Sequence, residues 1–243
     1  MIKGSKKPPE GITDIRCRFI FISPISQYAK GGIIIKTVYC YVFDTLADWE
    51  PTYALAELRS GRYFKDRALK YDVKTVGLNK NSVTTMGGIR ILPDMTVADI
   101  NAEEAGLMVL PGGNTWLEPI HAPIFPVIRA FLDKKIPVAA ICGATIGLAA
   151  NGLLEDRSHT SNDLGYLKMC APTYRGEARY VHKPAVCDRD LITASGIAPL
   201  EFAREILMKL DVMAPATIDA WYRLYRTYEA THFFALMQSL QKA

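Results

Sequence analysis

Cys142 stands near the middle of "IPVAAICGATIGLAANGLL", residues 136–154, a run without a single charged side chain. Val138 to Ile141 reads as a short buried strand, and Gly143, Ala144 and Gly147 suit a helix packed closely on a sheet. Strand, sharp turn and helix together predict a nucleophile elbow in which cysteine takes the place of the more familiar serine. Such a turn lifts the sulfur clear of the sheet and sets it at the N-terminus of the following helix, which favours a thiolate of depressed pKa. Two further segments end predicted strands on the same edge. "LPGGNTW" supplies Gly112 and Gly113, whose missing side chains let backbone N–H groups approach a substrate oxygen, and "FDTLADWEP" places Asp48 and Glu50 just before a helix. A desolvated Glu50 has its pKa raised, donates a hydrogen bond to the sulfur and shuttles protons.

Taken singly, each feature has an ordinary structural explanation. A cysteine in an apolar run is commonly a small core residue, paired glycines commonly make a turn, and acidic residues at a helix start complement its dipole. Their convergence on one edge of one sheet is what points to a site, and the elements that bring them there follow from the pattern of the chain. "VYCYVFD" and "YDVKTVGL" predict strands. "EPTYALAELRSG" predicts a helix with Pro51 in its first turn and Gly61 near its end. "SVTTMGGIRILPDMTV" predicts a hairpin turning at Gly87 and Gly88, "AGLMVLPGG" a buried strand, and "PIFPVIRAFLDKK" a helix leading to the elbow strand. Strands alternating with helices predict one α/β domain, a mostly parallel flavodoxin-like sheet covered on both faces, with ligands beyond the carboxyl ends of its strands.

The 243-residue chain, 49% hydrophobic, suffices for one substantial core. Its formal charge of +4 is misleading. Residues 1–36 carry seven Lys/Arg against Glu10 and Asp14, and removing that net +5 leaves the body at −1. No phosphate-binding stripe is implied, hence no nucleic-acid partner. Residues 1–35 read as a basic, Pro/Gly-rich extension, disordered by composition, with the domain proper from 36 to 212. Five cysteines at wide, irregular spacing, with no CxxC pair, predict neither a disulfide framework nor a metal site. The basic start of "RCRFIFISPIS" precedes an apolar stretch too short for an export signal and interrupted by Pro24, so a cytoplasmic protein without a membrane partner is expected. The last segment, 213–243, spaces Ile218, Trp221, Tyr225, Tyr228, Phe233, Leu236 and Leu240 as one amphipathic helix for the domain or a second subunit.

"VLPGGN", then "AAICGA" about 30 residues later, then "LLEDRSHTSND" and "ITASGIAPLEFAREIL", resembles the ThiJ/PfpI superfamily, whose fold is shared with class I glutamine amidotransferase domains. The similarity spans roughly Lys36 to Leu210. It implies a reactive Cys142, a glutamate matching Glu50 in contact with the sulfur, and an oxyanion site built from backbone amides of the glycine pair and the elbow, matching Gly112, Gly113 and Gly143. A homodimer, a small-molecule or modified-protein substrate and no cofactor are also implied. Two departures matter. The residue after the cysteine, a histidine in many protease-like members, is Gly143, and the loop after the next strand offers Asn162 where others place a histidine. His159, three residues earlier where alternation leaves its direction open, is the candidate catalytic histidine, and Asn162 a candidate substrate-binding residue. No histidine is followed two residues later by glutamate, which disfavours ammonia transfer of the glutamine amidotransferase type.

A thiolate needs no base to attack an aldehyde or a peroxide. The expected function is therefore cysteine-dependent chemistry on reactive carbonyl or acyl compounds, glyoxalase- or deglycase-like or hydrolytic. The alternatives are a non-catalytic redox or ligand sensor through oxidation of Cys142 and an intracellular cysteine peptidase, for which the leaving amine needs a proton donor.

Overall fold

The computed structural model describes residues 32–241. Almost all of the extension expected over 1–35 lies outside them. The sheet begins inside the expected extension: strand β1 (Ile34–Tyr41) starts two residues before the anticipated boundary. Ile34 and Ile35 pair with Leu69 and Lys70 although their side chains are exposed, because backbone pairing outlasts the helical cover on the sheet faces.

The chain then runs α1 (Trp49–Ser60), β2 (Leu69–Gly77), a short hairpin β3 (Val83–Thr84) and β4 (Arg90–Ile91), β5 (Met95–Thr96), β6 (Ala105–Leu110), α2 (Ile124–Asp133), β7 (Val138–Ile141), α3 (Gly143–Ala150) and α4 (Leu164–Cys170). It ends with β8 (Ala185–Asp188), β9 (Leu191–Ala194), α5 (Pro199–Lys209), α6 (Pro215–Thr227) and α7 (Ala230–Ser239). Seven strands form one sheet in the order β5-β2-β1-β6-β7-β9-β8, parallel throughout except for β8 at one edge.

Helices on both faces explain why β6, β7 and the second half of β1, from Val38, read as unbroken apolar runs. Tyr39, Tyr41, Met108, Leu110, Val138 and Ala140 face one core with α2, α3 and α4. Val38, Leu107, Val109, Ala139 and Ile141 face the other, closed by α1, α5, α6 and α7. Full burial of each large aliphatic side chain contributes about 1.5–3 kcal/mol, so both faces hold the sheet. Helix α1 ends as its sequence dictates, at Gly61 in the left-handed region (φ 56°), whose N–H closes on Glu57 O at 3.0 Å.

The C-terminal segment corrects its expectation. In place of one amphipathic helix over 213–243 there are two, broken at Tyr228, which adopts φ 62° and donates its N–H to Leu224 O. Trp221 is fully buried in the core and its indole N–H donates to Glu57 Oε1 at 3.0 Å, tying α6 to α1. Tyr228, by contrast, is 87% exposed. No helix among the described residues is long and apolar enough to cross a membrane.

Candidate functional site

Because β1, β6, β7 and β9 are parallel neighbours, their carboxyl ends deliver four loops to one edge. The turn after β7 carries Cys142 at φ 59°, ψ −123°. A non-glycine residue in that region costs on the order of 1–3 kcal/mol. The conformation is held by Cys142 N–H to Ala194 O (3.0 Å) and by the Thr145 N–H and hydroxyl, both donating to Cys142 O (3.0 and 2.6 Å). Gly143 must follow, since a Cβ there would come within 2.6 Å of Gly113 O.

Glu50, in the first turn of α1, is fully buried. The loop that carries it is pinned by the β3–β4 hairpin: Thr84 N–H donates to Asp44 Oδ1 (2.7 Å), Met86 N–H to Leu46 O (2.9 Å) and Gly87 N–H to Asp48 Oδ2 (2.7 Å). Asp48 therefore braces the hairpin and does not face the thiol. Glu50 Oε2 accepts the Gly112 N–H at 2.5 Å, while Oε1 is buried with no hydrogen-bond partner among the described residues. The carboxyl group lies beside the thiol. A Cβ on Gly112 would lie 2.7 Å from Glu50 Oε2 and 3.0 Å from Cys142 Sγ; one on Gly196 would lie 2.9 Å from Oε1 and 2.7 Å from Sγ. Two glycines thus let carboxyl and sulfur meet.

Burial pushes Glu50 up from 4.5 to about 7, against the pull of the Gly112 N–H and the thiol. The Cys142 thiol is also pushed up, first by burial and then by the charge of Glu50, while Asn162 and the Gly143 N–H pull it down. This corrects the expectation of a depressed thiol pKa: an eight-residue helix N-terminus is outweighed by desolvation and a neighbouring carboxylate. Both shifts favour the neutral forms, so the sulfur becomes an anion when its proton passes to the Glu50 carboxylate.

Asn162 completes the ring. Its Nδ2 donates to Sγ at 3.3 Å, and its Oδ1 accepts the Gly196 N–H at 2.8 Å. Gly113 lies against Phe43, and among the described residues no acceptor takes its N–H. The structure therefore brings Glu50, Gly112, Gly113, Gly143 and Asn162 to Cys142. His159 it does not: the ring is buried, with Nδ1 on Arg157 O (2.8 Å) and Nε2 on Tyr174 OH (2.6 Å), and burial holds it below its usual pKa. Gly196 is the contact that sequence reasoning passes over. Its signal is the "SG" that ends β9 beside the elbow strand. Trp49 adds to this wall by donating its indole N–H to Gly196 O at 3.1 Å. An open cleft of about 460 Å³ beyond it is lined by Asp48, Trp49, Thr52, Met86, Gly87 and Ile89. Among the described residues no cluster of three His, Cys, Asp or Glu is arranged to hold a metal ion.

A strained cysteine elbow on a parallel α/β sheet, with a buried glutamate at the sulfur, defines a class of cysteine-centred flavodoxin-like proteins. The chain belongs to the DJ-1/PfpI family, which it matches over residues 36–209. It is 51% identical over 207 residues to a Bacillus subtilis protein named uncharacterized protease YoaZ, covering 85% of this chain and 99% of that one. A second B. subtilis relative, named uncharacterized protease YdeA, is 33% identical over 199 residues, 82% of this chain and 95% of that one. Among solved structures, the thiJ/pfpI family protein from Bacillus anthracis is 51% identical, with a TM-score of 0.81 over 86% of this chain and 99% of that one.

Proposed function

We propose that this protein is a cysteine-dependent enzyme in which Cys142 adds to a reactive carbonyl or acyl carbon and Glu50 carries the proton. The carrying observation is the division of labour on one carboxyl group, with Oε2 fixed by the Gly112 N–H and Oε1 left for the sulfur. In the first step the thiolate forms an S–C bond, the carbonyl π pair moves onto oxygen, and the proton held by Glu50 passes to that oxygen. The product is a hemithioacetal from an aldehyde, or a tetrahedral adduct from an acyl compound. The Gly113 and Gly143 N–H groups serve as oxyanion donors. With an acyl compound, loss of the leaving group and attack by water complete a hydrolysis, in keeping with the protease names of the Bacillus relatives. Amide cleavage requires protonation of the leaving nitrogen. As the tetrahedral adduct collapses, its hydroxyl returns the proton to Glu50, which passes it to the leaving nitrogen; Glu50, raised to about 7, is the available acid, since both ring nitrogens of His159 are committed elsewhere.

The test is the intact mass of the protein after exposure to methylglyoxal, an activated ester and a peptide, with product analysis alongside. Turnover together with a trapped adduct on Cys142, absent in Cys142→Ser, is the expected result. Stoichiometric oxidation of Cys142 without turnover of any of the three would replace the enzymatic reading with a redox sensor.

A further inference from the structure

We propose that His121, acting through the Thr115 hydroxyl, is the positioning residue that keeps the Gly112–Gly113 loop in register with Cys142. Its kinetic consequence rests on the enzymatic reading above; its structural consequence does not.

His121 is fully buried and lies away from the thiol, yet both ring nitrogens are engaged: Nδ1 with Tyr41 OH at 2.8 Å and Nε2 with Thr115 Oγ1 at 2.9 Å. Tyr41 belongs to β1, whereas Thr115 belongs to the loop after β6 that carries the two glycines. The imidazole is therefore a strut between a rigid central strand and the oxyanion loop. Burial lowers its pKa and keeps it neutral, so one nitrogen donates and the other accepts. Among the described residues Tyr41 O–H has no other acceptor, so it donates to Nδ1, and Nε2–H donates to Thr115 Oγ1.

The surrounding rings show what the strut holds. His121 stacks on Trp116 (centroids 5.0 Å, 24°) and meets Phe43 edge-on (4.9 Å). Trp116 closes the loop on itself by donating its indole N–H to Pro111 O at 2.8 Å, and it lies flush against α3, where a Cβ on Gly147 would come within 2.7 Å of its ring. Phe43 abuts Gly113, where a Cβ would come within 2.4 Å of its ring. The loop thus sits between Tyr41 and Phe43, at and just beyond the end of β1, and the small-residue helix α3 on which its own Trp116 packs, and His121 touches Tyr41, Phe43 and Trp116. A shift of the loop at Thr115 moves the Gly113 N–H relative to the elbow, and oxyanion stabilisation is sensitive to displacements well under 1 Å.

Thr115→Val removes the hydroxyl at nearly constant shape, and Thr115→Ser keeps it. In Thr115→Val the backbone amide of Gly112, which is bonded to Glu50 Oε2, should exchange with solvent about tenfold faster or more, a local opening without global unfolding. Turnover should fall about 10- to 100-fold, less than or comparable to loss of one oxyanion donor, while alkylation of Cys142 by iodoacetamide stays within about twofold, since that reaction uses no oxyanion site. Thr115→Ser should restore both amide protection and turnover. Unchanged exchange in Thr115→Val, or a serine variant as impaired as the valine one, overturns the proposal. If the unsubstituted protein turns over no carbonyl or acyl substrate, the enzymatic reading fails, and the exchange comparison still decides the role of His121.

Discussion

Glu50 and Cys142 meet in a gap kept open by two glycines: a Cβ on either Gly112 or Gly196 would fall within 3.0 Å of the sulfur and of a Glu50 oxygen. The carboxyl group is oriented by the Gly112 N–H on one oxygen, and the other is buried beside the thiol without a hydrogen-bond partner among the described residues. Glutamine reproduces that arrangement, its carbonyl accepting from Gly112 and its amide donating to sulfur. Glu50→Gln also removes the charge that raises the Cys142 pKa. Iodoacetamide labelling followed against pH should therefore show thiolate forming at lower pH in Glu50→Gln than in the wild type, with turnover lost because an amide carries no transferable proton. Labelling that shifts to higher pH in the glutamine variant would contradict the assigned contact.

The same carboxyl group makes folding stability depend on pH. Its folded pKa, about 7 against 4.5 ordinarily, lies above the unfolded value, so the folded state binds the proton more tightly. Stability from this group is full below the ordinary value and is lost as pH rises through the folded one, a loss of about 3 kcal/mol. Glu50→Gln does not titrate. Urea unfolding of both proteins should give a stability difference that grows in favour of the variant between pH 4.5 and pH 7.5, and a pH-independent difference would show that Glu50 is not perturbed.

Gly196 offers a steric test. Its Cβ would press on Cys142 Sγ and Cβ at 2.7 and 2.9 Å. Neither atom belongs to a flexible chain end, because the elbow backbone is fixed by Ala194 and Thr145. Gly196→Ala should cost about 1–3 kcal/mol of stability by overpacking and displace the sulfur, slowing its alkylation. Normal labelling and normal stability together would mean that the gap is not needed.

The sheet and the elbow were legible because their signals are local. Unbroken apolar runs mark β6, β7 and β1 from Val38 onward, Pro51 and Gly61 bracket α1, and "ICGAT" places a thiol between a strand and a helix of small residues. What was illegible depends on distant partners. Gly196 joins the site only because β9 pairs with β7 so that Ala194 lies beside Ile141. The direction of His159 is settled by Tyr174, 15 residues further on. Tyr228 breaks the C-terminal helix in a left-handed conformation without a glycine or proline to announce it. The sign of the Cys142 shift escaped for a related reason: a helix N-terminus can be read from sequence, whereas burial and the distance to a carboxylate cannot.

His159→Gln separates a structural histidine from a catalytic one. The substitution takes a hydrogen-bonding partner from the buried Tyr174 hydroxyl, which should cost about 1–3 kcal/mol. Labelling of Cys142 should be nearly unchanged. A fall in turnover of about 100-fold or more, the scale of a lost general base, without loss of stability would return His159 to the mechanism.

Asn162 gives the sharpest electrostatic test, because its two ends do different things. Nδ2 donates to Cys142 Sγ and helps to hold the thiol pKa down, while Oδ1 accepts the Gly196 N–H. Asn162→Asp keeps the acceptor for Gly196 and replaces the donor with a second carboxylate near the sulfur. Both the lost hydrogen bond and the added charge disfavour the thiolate, so labelling should require higher pH. Asn162→Ala removes the donor without adding charge and should shift the profile in the same direction by less, although it also releases Gly196. Raising ionic strength should recover part of the aspartate effect, since the side chain is exposed and its charge is screened by salt, and little of the alanine effect. The order wild type, alanine, aspartate in labelling midpoint is the expected outcome. An aspartate variant that labels at or below the wild-type midpoint would show that Asn162 does not act on the thiol.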